Sequence, residues 1–311
     1  GGNMSEKKNG SCYAFGWLPD FPDIRDFRAD TRELPRKLRN LNQVDPPLAM
    51  LKKAGVADAA RARVPAAVDL RQWCPPIEDQ GELGSCTAHA GVGLVEFFER
   101  KAFGRHIDAS RLFLYKTTRT FAHLKGDSGA YLRSTMAALV LFGVPPEEYW
   151  PYAVKRFDAE PSAFCYSFAQ NYQALQYIRL DPAGTSTGDL LKRIKANLAA
   201  SLPSIFGFTV YDSISQADKA EGRIPFPGAR ERVLGGHAVM AVGYDDKLKI
   251  TNGSSKKATT GAILIRNSWG EGWGEGGYGW LPYEYVLQGL ADDWWTMLKN
   301  EWIDTGEFKI G

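Results

Sequence analysis

Cys86 is the second residue of the stretch SCTAHAGVGLVEFFERKA (Ser85 to Ala102), whose spacing predicts a helix. A thiol attacks a carbonyl only as thiolate, and both a helix N-terminus and a nearby imidazolium lower its pKa. The first condition is met by the position of Cys86 in the first turn, and His237, in the apolar run HAVMAVGY, is a source of the second. Taken singly, each residue has a plainer reading: a cysteine in an apolar helix is usually a small buried hydrophobe, and a strand histidine is usually structural. His89, three residues after Cys86, shares its helix and points along it, so it reads as a packing residue and not as a base. The four histidines show no metal-ligand spacing. GWGEGG (Gly272 to Gly277) satisfies a dinucleotide fingerprint, but YGWLPY follows it where a helix is required, so it reads as a glycine turn beneath Trp269 and Trp273. No cofactor and no metal are expected.

The elements that must position these groups fall into two halves. Val92, Val95, Phe98 and Ala102 recur at helical spacing, with Ser85 as candidate cap. Further helices are expected from about Ala130 to Phe142, closed by Gly143 and Pro145-Pro146, and from about Gly188 to Ala200. Beyond Leu202, Pro203 to Val210, His237 to Tyr244 and Gly261 to Asn267 are short runs rich in β-branched and aromatic residues, bounded by Gly, Pro or Asn, which predicts strands. Between the last two, DDKLKITNGSSKKATT reads as an exposed hairpin or loop. The fold class is therefore α+β, with a cleft between a helical layer and a β layer.

Three segments in order, DQGELGSCTAHA (Asp79 to Ala90), GGHAVMAVGYDD (Gly235 to Asp246) and LIRNSWGEGWGEGGYGW (Leu264 to Trp280), resemble the papain-like cysteine peptidases. The separation of Cys86 and His237, about 150 residues, is close to the ~130–150 of papain-type enzymes. The resemblance implies a two-lobed papain-like fold with the active site in the cleft. It implies Cys86 as nucleophile, His237 as base, Asn267 as the amide orienting the imidazole, Trp269 covering that bond, and Gln80 with the Cys86 N–H as oxyanion donors. It implies a leader or proregion over residues 1–63 and a catalytic domain over 64–311, with a helical lobe roughly 75–200 and a β lobe roughly 201–290. For the substrate it implies Gly129, with Ser128, as backbone partner. It also implies that Ala130, Tyr131, Gly207 and Ala238 line the walls of the pocket that selects the side chain preceding the scissile residue, with Gly236 as a further substrate contact. Small residues there suggest room for a bulky apolar side chain, and no acid is evident to favour a basic one. The chain departs from the family at Leu83 and Gly126, where the family carries a disulfide, and at Thr87, where it carries Trp. Both halves of the disulfide are lost together, so mild reduction is expected to activate Cys86 without unfolding; a Cys74–Cys165 pairing is left open.

With 38 Lys plus Arg against 36 Asp plus Glu, the net charge is +2, which argues against a nucleic-acid footprint. The longest apolar runs, such as Met136 to Val144, are about half of a bilayer span, so no membrane role is expected. No signal peptide is visible, and secreted and cytoplasmic locations both stay open. The expected partners are peptide or protein substrates of a monomeric endopeptidase. Alternative readings are a silent peptide-binding module and an acyl-transfer enzyme or amidase on the same scaffold. In the leader, Tyr13 to Asp30 alternates aromatics with Pro and Asp, predicting an extended strap whose Tyr13, Phe15, Trp17, Phe21 and Phe27 must dock on the catalytic unit. Its expected place is the cleft near Gly129, as an intramolecular ligand that blocks it; packing on the back of the β half is the plainer alternative. Asp45 to Arg63 reads as an exposed linker or short helix.

Overall fold

The computed structural model describes residues 6–8, 11–32, 45–56, 64–172, 176–303, 305 and 307–308. The thiol-bearing helix, α2 (Cys86–Phe103), follows α1 (Pro47–Lys53) and forms the spine of the helical layer. It is buried on nearly every side, which explains why its sequence is apolar well beyond a single stripe. Gly91 and Gly93 let it approach its neighbours closely: a Cβ at Gly91 would lie 2.9 Å from Thr135, and one at Gly93 would lie 2.8 Å from the Arg266 guanidinium. Gly104 closes the helix in the left-handed region at φ 71°. Ser85 precedes it without capping it, because its hydroxyl bonds His89 and Tyr152 instead.

Packed on α2 are α3 (Arg111–Phe121) and α4 (Leu132–Leu141). The first of these escapes sequence periodicity because Leu112 and Phe113 serve a small cluster with Leu83, Trp150 and Cys165, whereas Leu114 and Tyr115 serve the main core. Four consecutive apolar residues then give no helical stripe. A short α5 (Ala163–Ala169) and the Ser186-capped α6 (Thr187–Ala199) complete this side, and the chain ends near α7 (Tyr283–Leu287) and α8 (Asn300–Ile303). No helix among the described residues is long and apolar enough to cross a membrane.

The other layer is a seven-stranded antiparallel sheet. Its order is β10 (Tyr278–Pro282), β9 (Ala258–Arg266), β8 (Val233–Thr251), β7 (Ser204–Tyr211), β11 (Ala291–Leu298) and β6 (Gln176–Arg179), with β4 (Ala67–Asp69) paired to β8. The segment expected as a hairpin or loop is the turn between β8 and β9 with the strand ends flanking it. A second small sheet pairs β3 (Trp17–Leu18) of the leader with β5 (Ala130–Tyr131), in parallel. Leader strands β1 (Glu6–Lys8) and β2 (Ser11–Tyr13) form a hairpin. The fold is thus α+β, helices against a largely antiparallel sheet, with the N-terminal segment touching both layers.

Two parts of the leader depart from expectation. The segment predicted as an exposed linker or short helix contains α1, and Met50, Leu51 and Ala54 are buried in the main core; residues 57–63 lie outside the described residues. Phe21, expected to dock, is 89% exposed, because the chain there is held by charge and not by ring burial: Arg133 pairs with Asp20 and Asp26 on either side.

Candidate active site

Cys86 is the first residue of α2, so the positive end of an 18-residue helix faces its sulfur. The thiol is fully buried, its Sγ accepting the Ala238 N–H at 3.4 Å and approached by the Gly16 N–H. His237 precedes Ala238 on β8, and Asn267 follows the end of β9, so adjacent strands hold the imidazole and its amide. Asn267 Oδ1 accepts the Ser268 N–H at 2.8 Å, which fixes it as an acceptor, and lies 2.7 Å from His237 Nε2. The ring must therefore donate from Nε2, leaving the lone pair on Nδ1, a buried atom with no hydrogen-bond partner among the described residues. Trp269 stacks on the imidazole at 4.4 Å and 24°, with the edge of Trp273 behind it, and shields the bond from water. The glycine turn beneath these rings has positive φ at Gly274, Gly276 and Gly277; a Cβ at Gly279 would reach within 2.5 Å of Trp273.

Gln80 is tied into the same cluster. Its backbone N–H donates to Ser268 O at 2.9 Å and its Oε1 accepts the Ser268 hydroxyl at 2.6 Å. One side-chain N–H donates to Leu83 O at 2.8 Å, and the other donates to Ala14 O of the leader at 3.2 Å. A carbonyl of the N-terminal strap therefore occupies the Gln80 side-chain amide.

The strap fills the cleft on both sides of the thiol. Gly16 passes between two backbones: a Cβ on it would fall 1.9 Å from Gly84 O, and one on Gly129 would fall 2.3 Å from Gly16 O. Gly16 O accepts the Ala130 N–H at 2.7 Å, so in this filled cleft the backbone pairing expected at Gly129 falls to its neighbour. Gly129 N–H is engaged by the Tyr115 hydroxyl at 3.2 Å, and Ser128 turns its hydroxyl to Gly129 O. Tyr131 pairs with Leu18. The Phe15 ring meets His237 and Trp269 edge-on, each at 6.2 Å. Trp17 lies where side chains at Gly207 and Gly236 would be, with added Cβ atoms 1.9 and 2.8 Å from its indole, and Ala238 is buried beside them.

Burial dominates the electrostatics of this covered state. It pushes the Cys86 thiol up to about 12, against the hydrogen bonds from Ala238 and Gly16. It pushes His237 down to about 4, against its bond to Asn267. The expectation of a helix-activated thiolate is reversed here, because desolvation under the strap outweighs the helix dipole. His89 is likewise pushed down to about 3, mainly by burial, and its Nδ1 bonds the backbone of its own helix at Ser85, in keeping with a packing residue. Cys74 and Cys165 are free and buried, so the pairing left open is not made. Among the described residues, no group of three His, Cys, Asp or Glu is placed to hold a metal.

Sequence reasoning missed Asp293. It is fully buried on β11, where the register shifts between Asp292 and Trp295, and its φ of 63° is one that Asp tolerates better than most residues. Its Oδ2 accepts the Trp17 indole N–H at 3.2 Å, so an acid does lie at the pocket that holds Trp17. DDWWTM offers no motif that would place it there; only the unusual run of Asp beside two core tryptophans marks it.

Comparison with known proteins identifies the family. A family model described as papain family cysteine protease matches residues 64–292. An uncharacterized peptidase C1-like protein of Acanthamoeba polyphaga mimivirus is 35% identical over 224 residues, covering 70% of this chain and 68% of its own length. Chymopapain of Carica papaya is 27% identical, but the match spans only 50% of that protein. Among solved structures, xylellain, a cysteine protease from Xylella fastidiosa, superposes with a TM-score of 0.69 at 34% identity, covering 91% of this chain and 95% of that one. A digestive procathepsin L 3 of Tenebrio molitor, at 20% identity and a TM-score of 0.57 over 78% of this chain and 72% of its own, shares the fold. The chain belongs to the papain family of cysteine proteases and is a thiol peptidase.

Proposed function

We propose that this peptidase is an endopeptidase that works through Cys86, His237 and Asn267, and that its own leader holds it inactive. The observation that carries the reading is the leader's path: residues 14–18 run continuously past the thiol, cover His237 with Phe15, and engage the Gln80 amide. A cleft that admits chain on both sides of the thiol suits cleavage within a chain. Once the strap leaves, water returns, the thiol falls and the imidazole rises toward their ordinary values, and the ion pair becomes accessible. Cys86 Sγ attacks the peptide carbonyl as His237 Nδ1 takes its proton. Gln80 Nε2 and the Cys86 N–H hold the developing oxyanion. The imidazolium protonates the leaving amine as the C–N bond breaks, and water hydrolyses the thioester with His237 as base. In the covered state Gly16 O is turned to the Ala130 N–H while Ala14 O takes a Gln80 amide N–H.

The test uses the full-length chain. Trp17→Ala and Phe15→Ala are expected to raise hydrolysis of a fluorogenic peptide at least tenfold, and adding Cys86→Ala to either is expected to remove it. Equal activity with and without the strap side chains sinks the leader's role; hydrolysis surviving Cys86→Ala sinks the triad.

A further inference from the structure

Two N–H groups must converge on one point to hold an oxyanion, and here they come from the two ends of one short segment. Gln80 opens it and Cys86 closes it. The residues between include Gly84 and Gly81, the latter at φ 58°, so the backbone brings little stiffness of its own to the separation of the two donors. That separation has to be set from outside the segment.

Tyr152 spans it with a single atom. Its hydroxyl lies 2.9 Å from Gln80 O and 2.7 Å from Ser85 Oγ, so it bridges the residue that carries the first donor and the residue that precedes the second. The direction of each bond follows from the two ends of the chain. Gln80 O can only accept, so Tyr152 donates to it and is left to accept the Ser85 O–H. At the other end, His89 Nδ1 lies 3.1 Å from the carbonyl Ser85 O, so the ring carries its proton on Nδ1 and shares it with Ser85 Oγ at 3.3 Å. A proton on Nε2 instead would be buried with no partner among the described residues. Every bond from His89 to Gln80 therefore runs one way. Burial pushes His89 down to about 3 and holds the Tyr152 phenol well above its ordinary value, so both stay neutral and the pattern persists across neutral pH.

The tyrosine is anchored from behind. Its ring meets His89 edge-on at 5.0 Å, its N–H donates to Glu147 Oε1 at 2.5 Å, and Trp150 O accepts the Ser110 hydroxyl at 2.5 Å. Glu147 pairs with Arg111, which also pairs with Glu78 just ahead of Gln80. A covered phenol needs a partner, and any carbonyl would serve. This one ties together the two donor-bearing ends.

We propose that Tyr152 is a positioning residue of the catalytic site, its hydroxyl pinning Gln80 to Ser85 so that the Gln80 amide and the Cys86 N–H stay aimed at one oxygen, with Ser85 and His89 ordering the bonds behind it. This rests on the peptidase reading above and adds to it three residues that act through Gln80 and Cys86.

Full-length chain carrying Trp17→Ala, which opens the cleft, is compared with and without Tyr152→Phe, which keeps the ring and removes the bridge. Hydrolysis of a fluorogenic peptide passes through an oxyanion. Alkylation of Cys86 by iodoacetamide does not: an S–C bond forms as C–I breaks and iodide leaves. Tyr152→Phe is expected to lower kcat about tenfold, less than the ~10²–10³ lost when a donor itself is removed, while KM and the alkylation rate stay within about twofold. Ser85→Ala is expected to give the same split, and the double variant to be little worse than Tyr152→Phe alone, since both break one chain. Unchanged hydrolysis overturns the proposal. So does a matching loss of alkylation, which makes the hydroxyl a support of the fold alone. Amide hydrogen exchange reads the pin without chemistry: in the chain that keeps Trp17, Tyr152→Phe is expected to speed exchange of the Gln80 and Leu83 backbone N–H about tenfold, with Val92 and Val95 on α2 unchanged. If the Trp17→Ala protein cleaves no peptide but this exchange responds, the catalytic reading fails and the pin stands; exchange that does not respond overturns the pin whatever the activity.

Discussion

The N-terminal segment docks twice, and the two contacts are both buried but chemically unlike. Phe15 and Trp17 of the strap are as well covered as Met50 and Leu51 of helix α1. Beneath α1 lies ordinary core, shared with α8 at the far end of the chain. Beneath the strap lie an imidazole, an amide N–H, a thiol and a pocket floored by a carboxylate, groups that a protein gains nothing by covering unless covering them matters. Burial alone therefore does not tell a regulatory contact from a structural one. The proposed inhibitory role of the strap rests on the chemistry under its contact, and the contrast predicts opposite responses to substitution on the two sides.

The largest effect is expected at the covered groups themselves. In the Trp17→Ala background, Cys86→Ala or His237→Ala is expected to cut peptide hydrolysis by about a thousandfold or more, and Asn267→Ala by less, since the amide orients and moves no proton. Initial rates and melting temperature, measured together, check this. Activity lost only in step with stability would place these groups in the core, on the same footing as α1.

Next comes the contrast between the two contacts. Met50→Ala, at a fully buried site, is expected to cost about 2–5 kcal/mol of unfolding free energy with no rise in activity. Phe15→Ala is expected to do the reverse, raising activity at a smaller cost. Denaturant titration beside the fluorogenic assay reads both. A rise in activity from Met50→Ala would mean that α1 and the strap release as one unit.

The uneven legibility of the molecule follows the same division. Cys86, His237, Asn267 and Gln80 stood out because each sits in a short run of distinctive neighbours, and the structure brings these four into one hydrogen-bonded cluster. The long α2 and the strands β7 to β9 were legible because their apolar residues are regularly spaced. Helix α3 was not, since it feeds two clusters at once, and Asp293 was not, since a bulge, and no pattern in sequence, turns it into the pocket. The burial of α1 was hidden too, because PLAMLKK carries too few apolar residues to announce a core face on its own.

Acidity offers a finer probe of the strap contact. His237 falls from an ordinary 6.5 to about 4 because the covered ring cannot hydrate its charge, so the covered state binds fewer protons than the open one. The covered state is thus favoured above about 6.5 and loses that advantage as pH falls toward 4. Cys86, pushed up to about 12, adds the converse at the alkaline end, favouring the covered form below the ordinary thiol value and losing that contribution as pH rises toward 12. Alkylation of Cys86 in the full-length chain, followed by mass after brief incubation between pH 4 and 7 and a return to one labelling pH, is expected to be faster after the acid incubation. Labelling independent of the incubation pH would mean that the strap stays down when His237 is charged.

The smallest effect is expected where the strap leaves the cleft. Arg133 on α4 receives Asp26 through both its Nε, at 2.9 Å, and its Nη2, at 2.8 Å, and it also pairs with Asp20 and donates to Phe21 O at 2.7 Å. This clasp grips the chain beyond Trp17 with charge, at a place where Phe21 and Ile24 stand exposed and contribute no burial. Arg133 and Asp20 remain partly open to water, so the clasp is worth about 1 kcal/mol and is weakened by salt. Arg133→Ala is therefore expected to raise basal hydrolysis only about fivefold, well below Phe15→Ala, and to flatten the rise in activity that added salt produces in the unmodified chain. Asp26→Asn should follow it. If Arg133→Ala instead lowers the melting temperature as much as Met50→Ala and leaves activity unchanged, the outer arm of the strap belongs with α1, and the regulatory contact ends at Leu18.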